Sequence, residues 1–168
     1  MTHLLWRIAT EAPTYGADDL SGAGASISGG RWNSPGVRVV YGATSIALAT
    51  LETVVHLAGP PFNRYLVRIE LPGDLLAAAE HFQPDANVGW DAAPAGRTSI
   101  AAGDAWIHRA SSLLLFVPSA IVPEESNVLI NPLHPDVARI SARKVRRFLY
   151  DPRIKDVPRA RKSKTTSR

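Results

Sequence analysis

The chain has 168 residues, of which 45% are apolar and 20% are charged, and its mean hydropathy is -0.04. These values are typical of one soluble globular domain, and no stretch approaches the roughly 18 uncharged apolar residues of a membrane-spanning helix. The absence of cysteine excludes disulfide bonds and thiolate metal sites. The first seven residues lack the basic and apolar segments of a secretion signal, so the sequence predicts a bacterial-type cytoplasmic protein.

Charge is distributed unevenly along the chain. Residues 1–138 contain 7 basic and 13 acidic side chains, a balance of -6, whereas residues 139–168 contain 12 basic and 2 acidic ones, a balance of +10. Residues 155–168 are polar and poor in apolar side chains, which predicts a flexible basic tail after a folded domain over residues 1–154. Such a tail is typical of nucleic-acid binding or of solubility and partner docking, and the composition favours the second.

Hydrophobic patterning predicts strands and helices that do not alternate regularly. Strands are predicted over residues 4–9, 37–41, 65–71, 113–117, 127–130 and 148–150, helices over 46–57 and 98–110, and loops over 13–30 and 84–96. Thr44 or Ser45 is the predicted cap of the first helix and Thr98 or Ser99 that of the second, because short polar side chains accept hydrogen bonds from first-turn amides. The predicted class is therefore α+β, a single domain with mixed or antiparallel sheets and flanking helices.

The first unusual segment is residues 29–43, GGRWNSPGVRVVYGA, in which Arg31 stands between two glycines and Trp32. Glycines let the backbone bend sharply or approach a ligand closely, and residues 33–36, NSPG, are typical of a turn. The pattern fits a hairpin whose arginine forms a surface salt bridge. It fits one side of a binding site equally well.

Glu52 is the unusual residue of the first predicted helix, SIALATLETVVHL, which is otherwise the most apolar in the chain. Helical spacing places Leu48, Ala49 and Val55 on its face. A carboxylate in such surroundings is costly unless it is paired or hydrogen-bonded. The pattern therefore indicates either a solvated stripe on a half-exposed helix or a carboxylate directed into a pocket.

The third unusual segment is residues 122–136, VPEESNVLINPLHPD, where hydrogen-bonding side chains surround a short apolar strand. Ser126 is not part of the Gly-x-Ser-x-Gly motif of α/β-hydrolases. His134 and Asp136 lack the spacing of metal ligands, so no metal site is predicted.

Together these segments resemble the RES-domain family, which is named for its arginine, glutamate and serine. The motifs are Arg31 in GGRWN, Tyr41 in VVYGA, Glu52 in ALATLETVVH and Ser126 in PEESNVLINPLHPD, and they stand in the family's order. The segments LWRIA and RRFLYDPRI resemble the family's first and last strands. The resemblance covers residues 4 to 154, so residues 1–154 are identified as a RES-like NAD⁺-binding catalytic domain.

This resemblance implies a fold similar to that of ADP-ribosyltransferases and a toxin of a bacterial type II toxin–antitoxin pair. It implies that NAD⁺ is the substrate, consumed by hydrolysis, by phosphorolysis or by transfer of ADP-ribose to a protein target. The implied partner is an antitoxin with an Xre-type helix-turn-helix domain that occludes the active site in a hetero-oligomer. No membrane is among the expected partners.

The chemistry of nicotinamide release suggests a role for each motif, because the bond to ribose breaks through an oxocarbenium-like transition state. The arginine suits the pyrophosphate, the tyrosine ring stacks on nicotinamide or ribose, and the glutamate binds ribose hydroxyls and stabilises positive charge. The serine either orients the glutamate or binds the nicotinamide amide. The predicted catalytic residues are Arg31, Tyr41, Glu52 and Ser126, and the predicted NAD⁺-binding residues are Arg31, Trp32, Tyr41 and Asn131.

An alternative function is a non-enzymatic nucleic-acid-binding module that uses the basic tail. That alternative predicts salt-sensitive affinity for DNA or RNA and no change in NAD⁺ on incubation. The enzyme predicts consumption of NAD⁺.

Overall fold

One seven-stranded sheet is the framework of the computed structural model, which describes residues 1–56 and 63–156. The strands are β1 (Thr2–Thr10), β2 (Val40–Ala43), β3 (Arg64–Pro72), β4 (Glu80–His81), β5 (Leu114–Pro118), β6 (Ser126–Ile130) and β7 (Ser141–Arg147). Their order across the sheet is β4-β5-β6-β2-β1-β3-β7. The short β4 pairs in parallel with β5 and the other neighbours pair antiparallel, so the sheet is mixed.

Helices flank the sheet and cover its apolar side chains. They are α1 (Ala23–Ser28), α2 (Ile46–Val54), α3 (Gly73–Ala77) and α4 (Arg97–Arg109), with 3₁₀ turns at Pro84–Ala86, Pro135–Arg139 and Pro152–Asp156. In α2, Leu48 and Ala49 pack against Ile8 and Ala43 of the sheet. In α4, Trp106 and Ile107 pack in a second cluster with Leu115, Val117 and Leu129. The two helices therefore cover different parts of the sheet.

The α+β class and most of the predicted elements are confirmed. The strands β1, β3, β5 and β6 lie within two residues of their predicted bounds, and α4 lies within one. Ser45 caps α2, since its Oγ accepts a hydrogen bond from the Leu48 amide at 3.0 Å. That helix ends at Val54, three residues before its predicted end at residue 57. Residues 157–168, which contain most of the predicted tail, lie outside the described residues.

Four further sequence-based expectations differ from the structure. The segment predicted as a loop over residues 13–30 contains α1, and β2 lies later than residues 37–41. Neither Thr98 nor Ser99 caps α4, which begins after Gly96 without a side-chain cap. Residues 148–150 form no strand, and the last strand is β7. Because six of the seven side chains of β7 are exposed and four are basic, it lacks the apolar alternation that predicts strands.

Candidate active site

The sheet opens between β1 and β2. β1 pairs with β3 at nine positions, from Thr2 opposite Pro72 to Thr10 opposite Arg64, but it pairs with β2 only where Trp6 faces Ala43. Two adjoining cavities, of about 280 and 100 Å³, share Arg7, Ile8 and Tyr41 among their lining residues. We call these two cavities together the cleft. Ligand sites in proteins are concave and few, and this is where the fold leaves room for one.

Glu52 lines the smaller cavity of the cleft, together with Ala49 and Thr53 of the same helix. Its Oε1 accepts a hydrogen bond from Nδ2 of Asn127, on β6, at 2.6 Å. The carboxylate is therefore held from two sides, by the helix that carries it and by a strand of the sheet. One oxygen is engaged by the asparagine.

Tyr41 lines both cavities, and its hydroxyl is fully engaged. The hydroxyl donates to Oδ1 of Asn33 at 2.7 Å and accepts from the backbone amide of Trp32 at 3.1 Å. Burial raises the pKa of this phenol, so it stays protonated at neutral pH. With the oxygen engaged in this way, the ring is the part of Tyr41 that a ligand can contact.

The two glycines before Arg31 allow this close packing. Gly29 adopts a φ of 72°, in the left-handed region that other residues rarely occupy. A Cβ on Gly30 would lie 2.7 Å from the Tyr41 hydroxyl. The glycines are therefore needed to bring the loop onto the tyrosine.

Arg31 lies beside this loop and outside the lining of both cavities. Its Nη1 donates to the carbonyl oxygens of Trp90 at 3.1 Å and Ala92 at 2.9 Å. The guanidinium thus links the loop to the irregular segment before α4, where backbone carbonyls need donors. The predicted contact of Arg31 with pyrophosphate stays a prediction.

The other predicted site residues are also outside the cleft lining. Ser126 precedes Asn127 on β6, and since neighbouring side chains of a strand point to opposite faces, only the asparagine reaches Glu52. Trp32 is 2% exposed and stacks on Trp90 with ring centroids 6.1 Å apart. Asn131 is fully buried, donates to the Ile107 carbonyl at 3.0 Å and accepts from the Leu133 amide at 2.9 Å.

Two arginines that the sequence analysis did not assign lie in the cleft. Arg7 lines both cavities and donates to the Asp19 carbonyl at 3.2 Å. Burial lowers the pKa of its guanidinium, an effect that Asp19 partly offsets. Arg64 lines the larger cavity, and within residues 1–56 and 63–156 its buried Nε has no hydrogen-bond partner. The available signal for Arg7 was a lone cation inside the apolar strand LLWRIA.

The described part of the chain has neither a metal-binding cluster nor a membrane-spanning helix. Residues 1–56 and 63–156 contain no group of three or more His, Asp or Glu placed to hold a metal ion. Over the same ranges, every helix is too short or too polar to cross a bilayer.

Comparison with known proteins identifies relatives over nearly the whole chain. A model of the RES domain matches residues 4–151. The "Prs ADP-ribosylating toxin" of Sphingobium sp. (strain YBL2) is 62% identical over 157 residues, which cover 92% of this chain and 98% of that protein. "Toxin Res" of Pseudomonas putida is 40% identical over 155 residues, covering 90% and 99%. "Toxin Res" of Yersinia enterocolitica is 36% identical over 157 residues, covering 90% and 99%.

A solved structure is similar in fold. In the crystal structure of the M. tuberculosis MbcT–MbcA toxin–antitoxin complex, the matching chain superimposes with a TM-score of 0.55 at 19% identity. The match covers 86% of this chain and 82% of that one. At this identity the similarity concerns the fold alone.

Proposed function

Because the chain belongs to the RES domain family, we propose that it is a toxin that cleaves NAD⁺ and transfers the ADP-ribose to a Prs protein. The observation that carries the proposal is the Glu52 carboxylate, hydrogen-bonded at 2.6 Å by Asn127 and lining a cleft in the split sheet. The acceptor is proposed from the relative at 62% identity, whose name states that it ADP-ribosylates Prs.

Glu52 acts on the ribose in the proposed reaction. The bond between ribose C1′ and the nicotinamide nitrogen breaks, and neutral nicotinamide leaves with the bonding electron pair. Positive charge then develops on C1′ and the ring oxygen, as in glycoside hydrolysis. A carboxylate fixed before the reaction stabilises this charge and accepts hydrogen bonds from the ribose hydroxyls. The acceptor atom finally attacks C1′ to form the new bond, and its proton is released to water.

Arg7 and Arg64 hold the pyrophosphate in this proposal, the role that the sequence analysis gave to Arg31. A guanidinium binds phosphate oxygens through paired N–H donors. Since burial disfavours the charged form of Arg7, a bound anion would restore the stabilisation that water no longer supplies. Arg64 lines the larger cavity and supplies a second guanidinium beside it. The ring of Tyr41, between the two cavities, suits stacking on nicotinamide or ribose.

Incubation of the purified protein with NAD⁺ and purified Prs tests this function. Mass spectrometry should detect released nicotinamide and a Prs protein heavier by one ADP-ribose. Parallel reactions with and without inorganic phosphate, and without Prs, separate transfer to the protein from hydrolysis and phosphorolysis. A wild-type protein that releases no nicotinamide would overturn the function as a whole, whereas release without modified Prs would overturn the acceptor.

A partner antitoxin belongs to the same proposal. The solved structure of similar fold is a toxin in complex with its antitoxin. We expect an Xre-type antitoxin of this chain to occupy the cleft and so exclude NAD⁺. Addition of one equivalent of antitoxin should abolish nicotinamide release, and a structure of the complex with the cleft open to solvent would contradict occlusion.

A further inference from the structure

The edge strand β7 has an unusual charge. Its sequence, SARKVRR, contains Arg143, Lys144, Arg146 and Arg147 and no acidic residue, and six of its seven side chains are exposed. Residues 1–138, which contain the cleft residues, have a balance of -6. A concentrated positive strand at the edge of an acidic body is a surface that attracts negative partners.

Most of this charge is not neutralised by neighbours. Over residues 1–56 and 63–156, Lys144 forms an ion pair with Glu11, whereas Arg143, Arg146 and Arg147 form none. The Arg146 guanidinium lies 5.0 Å from the centroid of the Phe148 ring, a contact that leaves its charge without a counter-ion. Three guanidinium groups are therefore available to a partner.

This strand adjoins the cleft. In the ladder between β3 and β7, Leu66 faces Arg146 and Tyr65 faces Arg147. Arg64 precedes Tyr65 at the start of β3. Its carbonyl accepts a hydrogen bond from the Phe148 amide at 2.8 Å, and its side chain lines the larger cavity. Neighbouring strands lie about 4.8 Å apart. The basic strand thus passes within about one strand spacing of a cleft residue.

The side chains of β7, more than its backbone edge, are available for recognition. The register shifts between Leu66 and Val67, so Val145 is an extra residue without a partner on β3. Bulges and charges at a sheet edge discourage the pairing of another strand. A partner of β7 would accordingly be bound through opposite charge.

We infer that β7 is the docking surface for the protein acceptor of ADP-ribose, which it binds through an acidic patch of that acceptor. The inference rests on the proposed function and adds the place where Prs is bound. Transfer requires the acceptor to reach the mouth of the cleft and to leave after each reaction. Complementary charges beside the cleft favour the arrival of the acceptor, because they raise the rate of encounter and orient the partner.

Charge reversal on β7 tests the inference. The variant Arg143→Glu/Arg147→Glu is compared with Arg38→Glu/Arg97→Glu, a matched change at two exposed arginines with no ion pair within residues 1–56 and 63–156. We expect the β7 variant to lower kcat/KM for Prs modification about tenfold or more, an effect that shrinks at high salt. Nicotinamide release without Prs should stay within about twofold for both variants, as should Prs modification by the control.

Binding of Prs, measured by interferometry without NAD⁺, makes the result independent of catalysis. Wild-type protein that does not bind Prs, or binding weakened equally by both variants, would overturn the docking surface. So would a β7 variant that binds Prs normally but loses affinity for DNA, for RNA or for a second copy of the chain. Failure of the wild type to release nicotinamide would overturn the proposed function instead, and leaves the binding measurement valid.

Discussion

The two edges of β1 differ in how completely they pair with neighbouring strands of the sheet. Toward β3 the strand is paired along its whole length, whereas toward β2 it is paired only at Trp6 and Ala43. We call the fully paired side of β1 the closed edge and the side toward β2 the open edge. At the closed edge, Val67 and Ile69 of β3 are 0% exposed, in a core that also contains side chains of β1. Along the open edge lie Arg7, Tyr41 and, from α2, Glu52.

This difference shows how one strand can serve stability and binding together. The complete ladder satisfies the backbone on one side and buries apolar side chains, which is what holds the fold. The open edge leaves a concave space with a carboxylate and a guanidinium close to it. Substitutions at the open edge should therefore change catalysis, and substitutions at the closed edge should change stability.

Glu52→Gln is expected to have the largest effect on the open edge. It keeps the shape of the side chain but removes the charge that faces the ribose, so kcat for nicotinamide release should fall about 10²–10³-fold. The melting temperature should stay near the wild-type value. Glu124→Gln, at an exposed position, is the matched control, and near-normal turnover by folded Glu52→Gln would remove this carboxylate from the mechanism.

Val67→Ala is the corresponding test of the closed edge. Val67 is 0% exposed, and the loss of two buried methyl groups should lower the free energy of unfolding by about 2 kcal/mol. Denaturant titration measures this loss, and nicotinamide release at 25 °C should be unchanged. A large fall in kcat with unaltered stability would contradict the separation of the two edges.

Arg7→Gln should weaken the binding of NAD⁺ and preserve the fold. Loss of hydrogen bonds from a cation to phosphate should raise KM about 10–100-fold, with a smaller effect on kcat. The fold should persist because the variant also removes a charge that is costly to bury. The exposed Arg38→Gln is the control, and an unchanged KM for Arg7→Gln would exclude a pyrophosphate contact.

Asn127 should act as a positioning residue for Glu52. Asn127→Ala should lower kcat about tenfold, since the carboxylate loses the partner that orients it at 2.6 Å. Asn127→Asp places a second carboxylate there, and like charges hold a proton on the pair to higher pH. The acidic limb of its kcat profile should therefore move to higher pH, a shift absent from Asn127→Ala. Identical profiles for both variants would indicate a merely structural role.

Arg31→Lys should have the smallest effect and distinguishes two roles of this arginine. A lysine cannot reproduce the guanidinium geometry at the carbonyls of Trp90 and Ala92, so stability should fall by about 1 kcal/mol. KM for NAD⁺ should change much less than in Arg7→Gln. A tenfold higher KM with unaltered stability would instead support the pyrophosphate contact predicted from the sequence.

Local sequence patterns predicted the strands and helices whose apolar spacing and caps are visible within a few residues. Alternating apolar residues marked β1 and β3, and the helical spacing after Ser45 marked α2 with its cap. The same reasoning missed α1, which has no buried residue, and β7, which is mostly exposed, because neither has an apolar face to produce a pattern. Motif order alone was sufficient for the family, which the match over residues 4–151 shows.

Tertiary structure decided which of these side chains meet. The sequence determined that Glu52 lies in an apolar helix and that a polar pair, Ser126 and Asn127, begins a strand. Only the pairing of β6 with β2 decided that Asn127 faces the carboxylate. Likewise, two carbonyls 59 and 61 residues away in the chain hold Arg31. Arg7 reaches the cleft because β1 separates from β2. The physical reason is that strand register and pairing depend on contacts distant in the chain, which local periodicity does not encode.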